Sequence, residues 1–134
     1  MEKFSLWTRL RLLLADLRHT DRIQRRMDAR TRAAIREWTA RKAYCEAATM
    51  EEVASTMGIS KEQLSWYFRH RVRKTFLQWR KELRIREAQD IMRKRPALPA
   101  SRIAAEVGIM DKGNFRRQFR EITGMNPAEW RLRK

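Results

Sequence analysis

The chain contains a single cysteine, Cys45, in 134 residues. That excludes an internal disulfide and any cysteine cluster for zinc, and it fits the reducing, cytoplasmic compartment expected here. Long apolar runs are also missing. The longest cover about four residues, as from Leu12 to Ala15, whereas a membrane span needs roughly 20 and a secretory signal core about 7–15. The N-terminal segment is Arg-rich and amphipathic like a transit peptide, but Glu2, Asp16, Asp21 and Asp28 speak against one. Glycine (4) and proline (3) are scarce and nearly all fall between helical patterns, and sustained alternation of the strand type is absent, so the fold class is all-α.

Acidic residues are in short supply. Sixteen Asp and Glu face 32 Lys and Arg, a formal charge of +16 with a pI near 11.4. Such a chain attracts a polyanion, either nucleic acid or an anionic membrane surface. The excess is not a detachable tail: residues 1–48 carry 12 basic groups against 6 acidic, and residues 49–134 carry 20 against 10. The folded body itself must be cationic.

Residues 4–27 place Leu6, Leu10, Leu13 and Leu17 on one helical stripe flanked by Phe4, Trp7 and Leu14. The stripe fades at Thr20 and Gln24. A second helix is expected over about 30–47, with Ile35, Trp38 and Cys45 inward. Trp38, Tyr44 and Cys45 read as core, and nothing beside Cys45 in sequence would activate a thiolate.

From Thr49 the punctuation sharpens. Thr49-Met50-Glu51-Glu52 is a capping box opening a short helix with Val53, Ala54 and Met57 inward, and Gly58 closes it. Ser60-Lys61-Glu62-Gln63 is a second box, so two helices meet across Gly58-Ile59-Ser60, the helix-turn-helix pattern. The same grammar returns 50 residues on: Ile103, Ala104 and Val107 match Val53, Ala54 and Met57, Gly108-Ile109 matches Gly58-Ile59, and Asp111 caps the next helix. Between the units a helix is expected from Thr75 to Met92, halted before Pro96. Phe76, Trp79 and Leu83 share one of its faces, with Ile85, Ala88 and Met92 roughly opposite, as for a rod clamped between two bodies. Asn126 caps a last short helix with Pro127 at its first position and Glu129 completing the cap; Trp130 should pack back on the second body.

The inward residues fix the outward ones. With Leu64 and Phe68 inside, the second helix of the first unit presents Glu62, Ser65, Trp66 and Arg69, with Lys61 at its edge. With Phe115, Phe119 and Ile122 inside, its counterpart presents Gly113, Arg116, Arg117 and Arg120, with Lys112 at the edge. Such faces enter the major groove of double-stranded DNA. Arg pairs bidentately with guanine, Glu62 can accept from cytosine N4, and Trp66 can meet a thymine methyl. Phosphate contacts are expected near the helix starts at Thr49, Ser60 and Pro99, and from Arg71, Arg73, Lys74, Arg80 and Arg102.

These motifs resemble the DNA-binding domain of the AraC/XylS family of bacterial transcription regulators. The resemblance covers about residues 32–133 and rests on Gly58-x-Ser60-x-x-x-Leu64-x-x-x-Phe68, on Phe76-x-x-Trp79-x-x-x-Leu83-Arg84-Ile85-x-x-Ala88, on Ile103-Ala104-x-x-Val107-Gly108-Ile109 followed by Phe115-x-x-x-Phe119-Arg120, and on Gly124-x-x-Pro127-x-x-Trp130-Arg131. It implies seven helices in two lobes, base contacts from the two faces named above, promoter binding and, usually, activation through RNA polymerase. Three positions depart from the pattern. Gly113 brings no side chain to a base, Met110 replaces a small polar residue so that the helix start shifts to Asp111, and Asn126 replaces Ser or Thr but caps equally well.

The expected organisation is an N-terminal helical extension or linker (1–30), a first helix-turn-helix subdomain (31–74), a linker helix (75–93) and a second subdomain (94–134). The first 30 residues are too few for a sensor domain. They fit a dimerisation helix, the end of a linker or a cap on the first lobe, and a stripe of two heptads is short for a coiled coil stable by itself. The chain is thus expected to bind DNA as a monomer or as a weak dimer through this segment. An enzyme is not expected: His19 and His70 lie far apart, and no metal set, cofactor loop or paired carboxylates occur. The rival reading is a non-enzymatic module whose N-terminal amphipathic helix binds an anionic membrane or a partner protein.

Overall fold

In the computed structural model, residues 5–133 are described; Phe4 of the leucine stripe lies outside them. All regular structure among them is helical, in seven α-helices, and none is long and apolar enough to cross a membrane.

The N-terminal half corrects one expectation. Instead of two helices there is one, α1, from Leu6 to Ala40, opened by the Ser5 hydroxyl accepting from the Thr8 amide at 3.2 Å. At 1.5 Å per residue it is about 52 Å long. The stretch after Thr20 lost its apolar stripe but holds no Gly or Pro, and its Arg, Gln, Met and Ala favour helix. A fading stripe marked the place where packing changes, not a helix end. The chain breaks only at Lys42, in left-handed backbone (φ 55°), and a 3₁₀ turn over Ala43–Cys45 then carries Tyr44 and Cys45.

The first lobe packs the C-terminal half of α1 with α2 (Met50–Met57), α3 (Lys61–Tyr67) and the first half of α4 (Phe76–Lys94). Thr49 caps α2 through the Glu52 amide, and Gly58 ends it in left-handed backbone (φ 72°). Ser60 caps α3 through the Gln63 amide at 3.0 Å, but the Gln63 side chain does not close a box; it donates to Thr31 of α1 at 3.1 Å. Trp38, Val53, Leu64, Phe68 and Phe76 form the buried centre, with Trp79 against Phe68 at 4.9 Å. Each such fully buried side chain contributes about 1.5–3 kcal/mol.

The second lobe packs the other half of α4 with α5 (Ala100–Glu106), α6 (Lys112–Thr123) and α7 (Pro127–Leu132). Ile85, Ala88, Met92, Ile103, Val107, Phe115 and Phe119 are its core, and Trp130 closes it edge-on to Phe119 at 6.1 Å. The apolar faces of α4 therefore do serve two bodies.

Side chains of α4 lock the lobes together. Arg84 donates to the Tyr44 carbonyl at 2.5 Å and the Glu46 carbonyl at 2.8 Å, and Cys45 packs against both cores. Burial pulls the Arg84 guanidinium down to about 10, still charged at neutral pH. Gly108 of the second lobe lies so close that a Cβ there would meet the Cys45 carbonyl oxygen at 2.3 Å.

Candidate nucleic-acid interface

Burial of Leu64 and Phe68 turns the opposite face of α3 outward. Lys61, Glu62 and Arg69 are exposed and Ser65 and Trp66 half-buried, and all five line one shallow concavity of about 300 Å³. Ser65 and Arg69 also line a neighbouring groove of about 320 Å³ with Arg73, Lys74 and the N-terminal turn of α4. Residues expected to face bases and residues expected to hold phosphate thus border one another.

Several of these side chains are not free-standing. Lys61 Nζ donates to Glu51 Oε1 at 2.7 Å, a bond that raises the lysine and lowers the carboxyl. Lys74 pairs with Glu82 at 2.7 Å, which holds the Glu82 carboxyl below its ordinary value. Trp66 is stacked on His70 at 4.5 Å, and the Arg71 guanidinium lies 5.1 Å from its ring centre. Arg71 Nε in turn donates to Asp28 Oδ2 at 2.8 Å, and Gln24 donates to the other oxygen at 2.9 Å.

This stack is placed by a local irregularity. After Tyr67 the α-helix widens into a π turn over Phe68–Val72, with the Arg73 amide donating to the Phe68 carbonyl at 2.7 Å and Arg73 itself left-handed (φ 68°). The extra residue swings His70 and Arg71 under Trp66 and toward α1.

Arg80 is placed differently from the other basic residues of this set. It was expected among the phosphate contacts, yet it is half-buried, donating to the Ala48 carbonyl at 2.6 Å with its guanidinium 5.4 Å above the Phe76 ring. Burial lowers its pKa. Position 80 follows Trp79 on α4, and the length of an arginine lets it reach the Ala48 carbonyl 32 residues back.

The α6 face is more uniformly basic. Asp111 caps the helix by accepting from the Gly113 and Asn114 amides at 3.4 and 3.3 Å, so the start does fall at Asp111. Lys112, Gly113, Arg116, Arg117 and Arg120 are all exposed. Arg117 donates to the Asn114 side chain and lies 4.0 Å from Glu121, which is shared with Lys81 at 3.4 Å. Gly113 is not forced by the fold: a Cβ there would meet only the Asp111 carboxylate at 3.8 Å.

The expected phosphate positions differ among themselves. Thr49 spends its hydroxyl on its own helix, whose first turn holds Glu51 and Glu52, so an anion there meets two carboxylates. Ser60 likewise caps α3, while Pro99 opens α5 with no acid in the first turn and with Arg102 exposed one turn along. Residues not foreseen from sequence are Asp28, Thr31, Arg84 and His70. Asp28 and Thr31 are polar groups on the buried side of α1, Arg84 is half-buried and His70 exposed, and none is legible until its partner is known.

Cys45 is a free, half-buried cysteine. Burial, and then Glu87, push its thiol up to about 11, opposite to a reactive cysteine.

Residues 53–133 match the family model of a helix-turn-helix domain. The arabinose operon regulatory proteins of Salmonella typhimurium and Escherichia coli K12 are each 32% identical over 79 residues, covering 59% of this chain and 28% and 27% of those proteins. The chain therefore spans under a third of the length of those relatives. Among solved structures, the C-terminal domain of AraT, a response regulator from Geobacillus stearothermophilus, superposes with a TM-score of 0.68 at 23% identity, over 77% of this chain and 84% of that one. A DNA-binding transcriptional dual regulator from Escherichia coli K-12 gives 0.63 at 22% identity, over 79% and 89%. At these identities the two structures speak for the fold.

Proposed function

Because the chain belongs to the AraC/XylS family of helix-turn-helix transcription regulators, we propose that it binds double-stranded DNA sequence-specifically through both lobes and acts at promoters. The observation that carries this reading is the pair of outward faces on two lobes that share α4, Lys61, Glu62, Ser65 and Trp66 on α3 with Arg69 in the π turn after it, and Lys112, Gly113, Arg116, Arg117 and Arg120 on α6. The two faces have unequal tasks. On α3 a carboxylate, a hydroxyl, an indole and a guanidinium line one concavity and suit discrimination. On α6 four cations surround a glycine and suit grip on the backbone. Arg71, Arg73, Lys74 and Arg102 add phosphate contacts, while Arg80 is engaged with the Ala48 carbonyl.

Activation through contact with RNA polymerase belongs to this proposal, as does a cytoplasmic location, and both follow from the family rather than from any one side chain. The test is selection of bound duplexes from a random library at near-physiological salt. A two-part motif with centres about one helical turn apart supports reading by both lobes. Enrichment of no motif sinks the proposal, and so does an affinity that fails to fall by about 10³–10⁵ between roughly 50 and 200 mM salt. Arg117→Ala and Trp66→Ala should each weaken duplex binding with the fold retained.

A further inference from the structure

Among the described residues, most of the exposed large apolar side chains lie on α1 rather than on the rest of either lobe. Along α1, Leu6 (82% exposed), Trp7 (73%), Leu10 (44%), Leu13 (57%), Leu14 (43%) and Leu17 (59%) stand in solvent on one face. Seven-residue steps carry that face from Leu10 and Leu17 through Gln24 to Thr31 and Trp38, which are buried in the first lobe. The stripe that fastens α1 to the lobe therefore runs on past it, uncovered by any of the described residues. Its C-terminal half being fastened, the helix needs no separate nucleation, which removes the main cost of ordering so short a seam.

We propose that this arm pairs with the same arm of a second copy, antiparallel. The leucines are spaced 4-3-4, the core spacing of a two-stranded seam. In an antiparallel pair centred between residues 11 and 12, Leu6 faces the second copy's Leu17 and Leu10 its Leu13. On one flank Arg9 then meets the second copy's Asp16, twice by symmetry, and on the other Trp7 meets Leu14. Among the described residues, the ion pair near this stretch, Arg25 with Asp21 at 3.0 Å, uses neither Arg9 nor Asp16. A parallel pair would set Arg9 against Leu14 and Asp16 against Asp21, a loss of attraction and a repulsion. Lipid is a poorer occupant, because at 100° per residue Asp21 falls between the Leu10 and Leu14 rows of the apolar face.

Three turns of overlap make a small interface, below about 1,200 Å² in total, so the association is weak and suited to copies already concentrated on DNA. Sedimentation equilibrium of the full chain, up to about 200 μM in about 0.3 M salt to screen the net charge, should show a reversible monomer–dimer equilibrium. Leu13→Asp should leave a monomer throughout, with helical content and duplex affinity, measured at nanomolar chain, unchanged. Asp16→Arg should weaken the dimer about tenfold, and adding Arg9→Asp should restore it. The proposal is overturned if the unaltered chain stays monomeric at the highest concentration, or if Asp16→Arg tightens the dimer, as parallel pairing requires. It is also overturned if phosphatidylglycerol vesicles bind the chain through Leu13 while no dimer forms. None of these outcomes depends on which DNA sequence the lobes read.

Discussion

Arg71 Nε lies 2.8 Å from Asp28 Oδ2, a bond that joins the π turn after α3 to α1. Asp28 is nearly buried while Arg71 is half-exposed, so the pair stands between a surface ion pair, worth little, and a buried one, costly to break. Asp28→Ala should lower the unfolding free energy by about 1–2 kcal/mol, and Asp28→Asn, which keeps an acceptor, by less. Because Arg71 also braces Trp66, duplex affinity should fall with both. Urea unfolding beside a binding titration checks this, and an Asp28→Ala chain with both quantities unaltered would refute it.

Three glycines separate backbone need from functional need. Gly124 is left-handed (φ 81°) with open space around it, so Gly124→Ala should cost about 1–2 kcal/mol. Gly108 is left-handed too (φ 86°), and its missing Cβ would strike the Cys45 carbonyl; Gly108→Ala should cost more than about 3 kcal/mol by prying the lobes apart. Gly113 is helical and uncrowded, so Gly113→Ala should stabilise by up to about 1 kcal/mol. If a nucleic-acid backbone comes close to α6 there, the same change weakens duplex binding. Denaturation midpoints in that order of cost, 108 above 124 above 113, are the expected result.

What could be read from residues alone divides along a physical line. The repeat of caps and glycines around Thr49–Ser60 and Ile103–Asp111 located four helices, because capping is local chemistry, and the switch of apolar faces on α4 foretold two cores around one rod. Long-range polar bonds were not legible. Arg80 looked like any surface arginine until the Ala48 carbonyl was placed beside it, and Asp28 like a solvated acid until Arg71 arrived from 43 residues away. The unity of α1 was missed for a related reason: the pattern of burial changes within it, while the intrahelical bonds that define it do not.

The thiol of Cys45 gives a pH test. Its pKa is raised from about 9 to about 11, so at pH 8 its thiolate fraction is about a hundredfold below that of an ordinary cysteine. Iodoacetamide should therefore modify the native chain about a hundred times more slowly than the urea-unfolded chain at pH 8. Since the folded pKa is the higher one, the thiol's contribution to stability is complete below pH 9 and is lost as pH rises through 11. Tyr44, raised by burial to about 12, should extend the loss upward. Equal modification rates in the two states would show that the thiol is not sheltered.

Arg80 and Arg116 carry the same charge and should answer the same substitution differently. Arg116 is exposed on α6 beside Lys112 and Arg120, where no carboxylate pairs with it among the described residues. If it neutralises a phosphate, Arg116→Ala lowers the slope of log affinity against log salt by about one and leaves the unfolding free energy within about 0.5 kcal/mol. Arg80 holds the Ala48 carbonyl and covers Phe76, so Arg80→Ala should cost about 1–3 kcal/mol by orphaning that carbonyl, with the salt slope unchanged. Binding titrations at four salt concentrations, run beside urea melts, separate the two effects. A fall in salt slope for Arg80→Ala would put that guanidinium back on the DNA surface, and an unchanged slope for Arg116→Ala would take the second lobe's grip elsewhere.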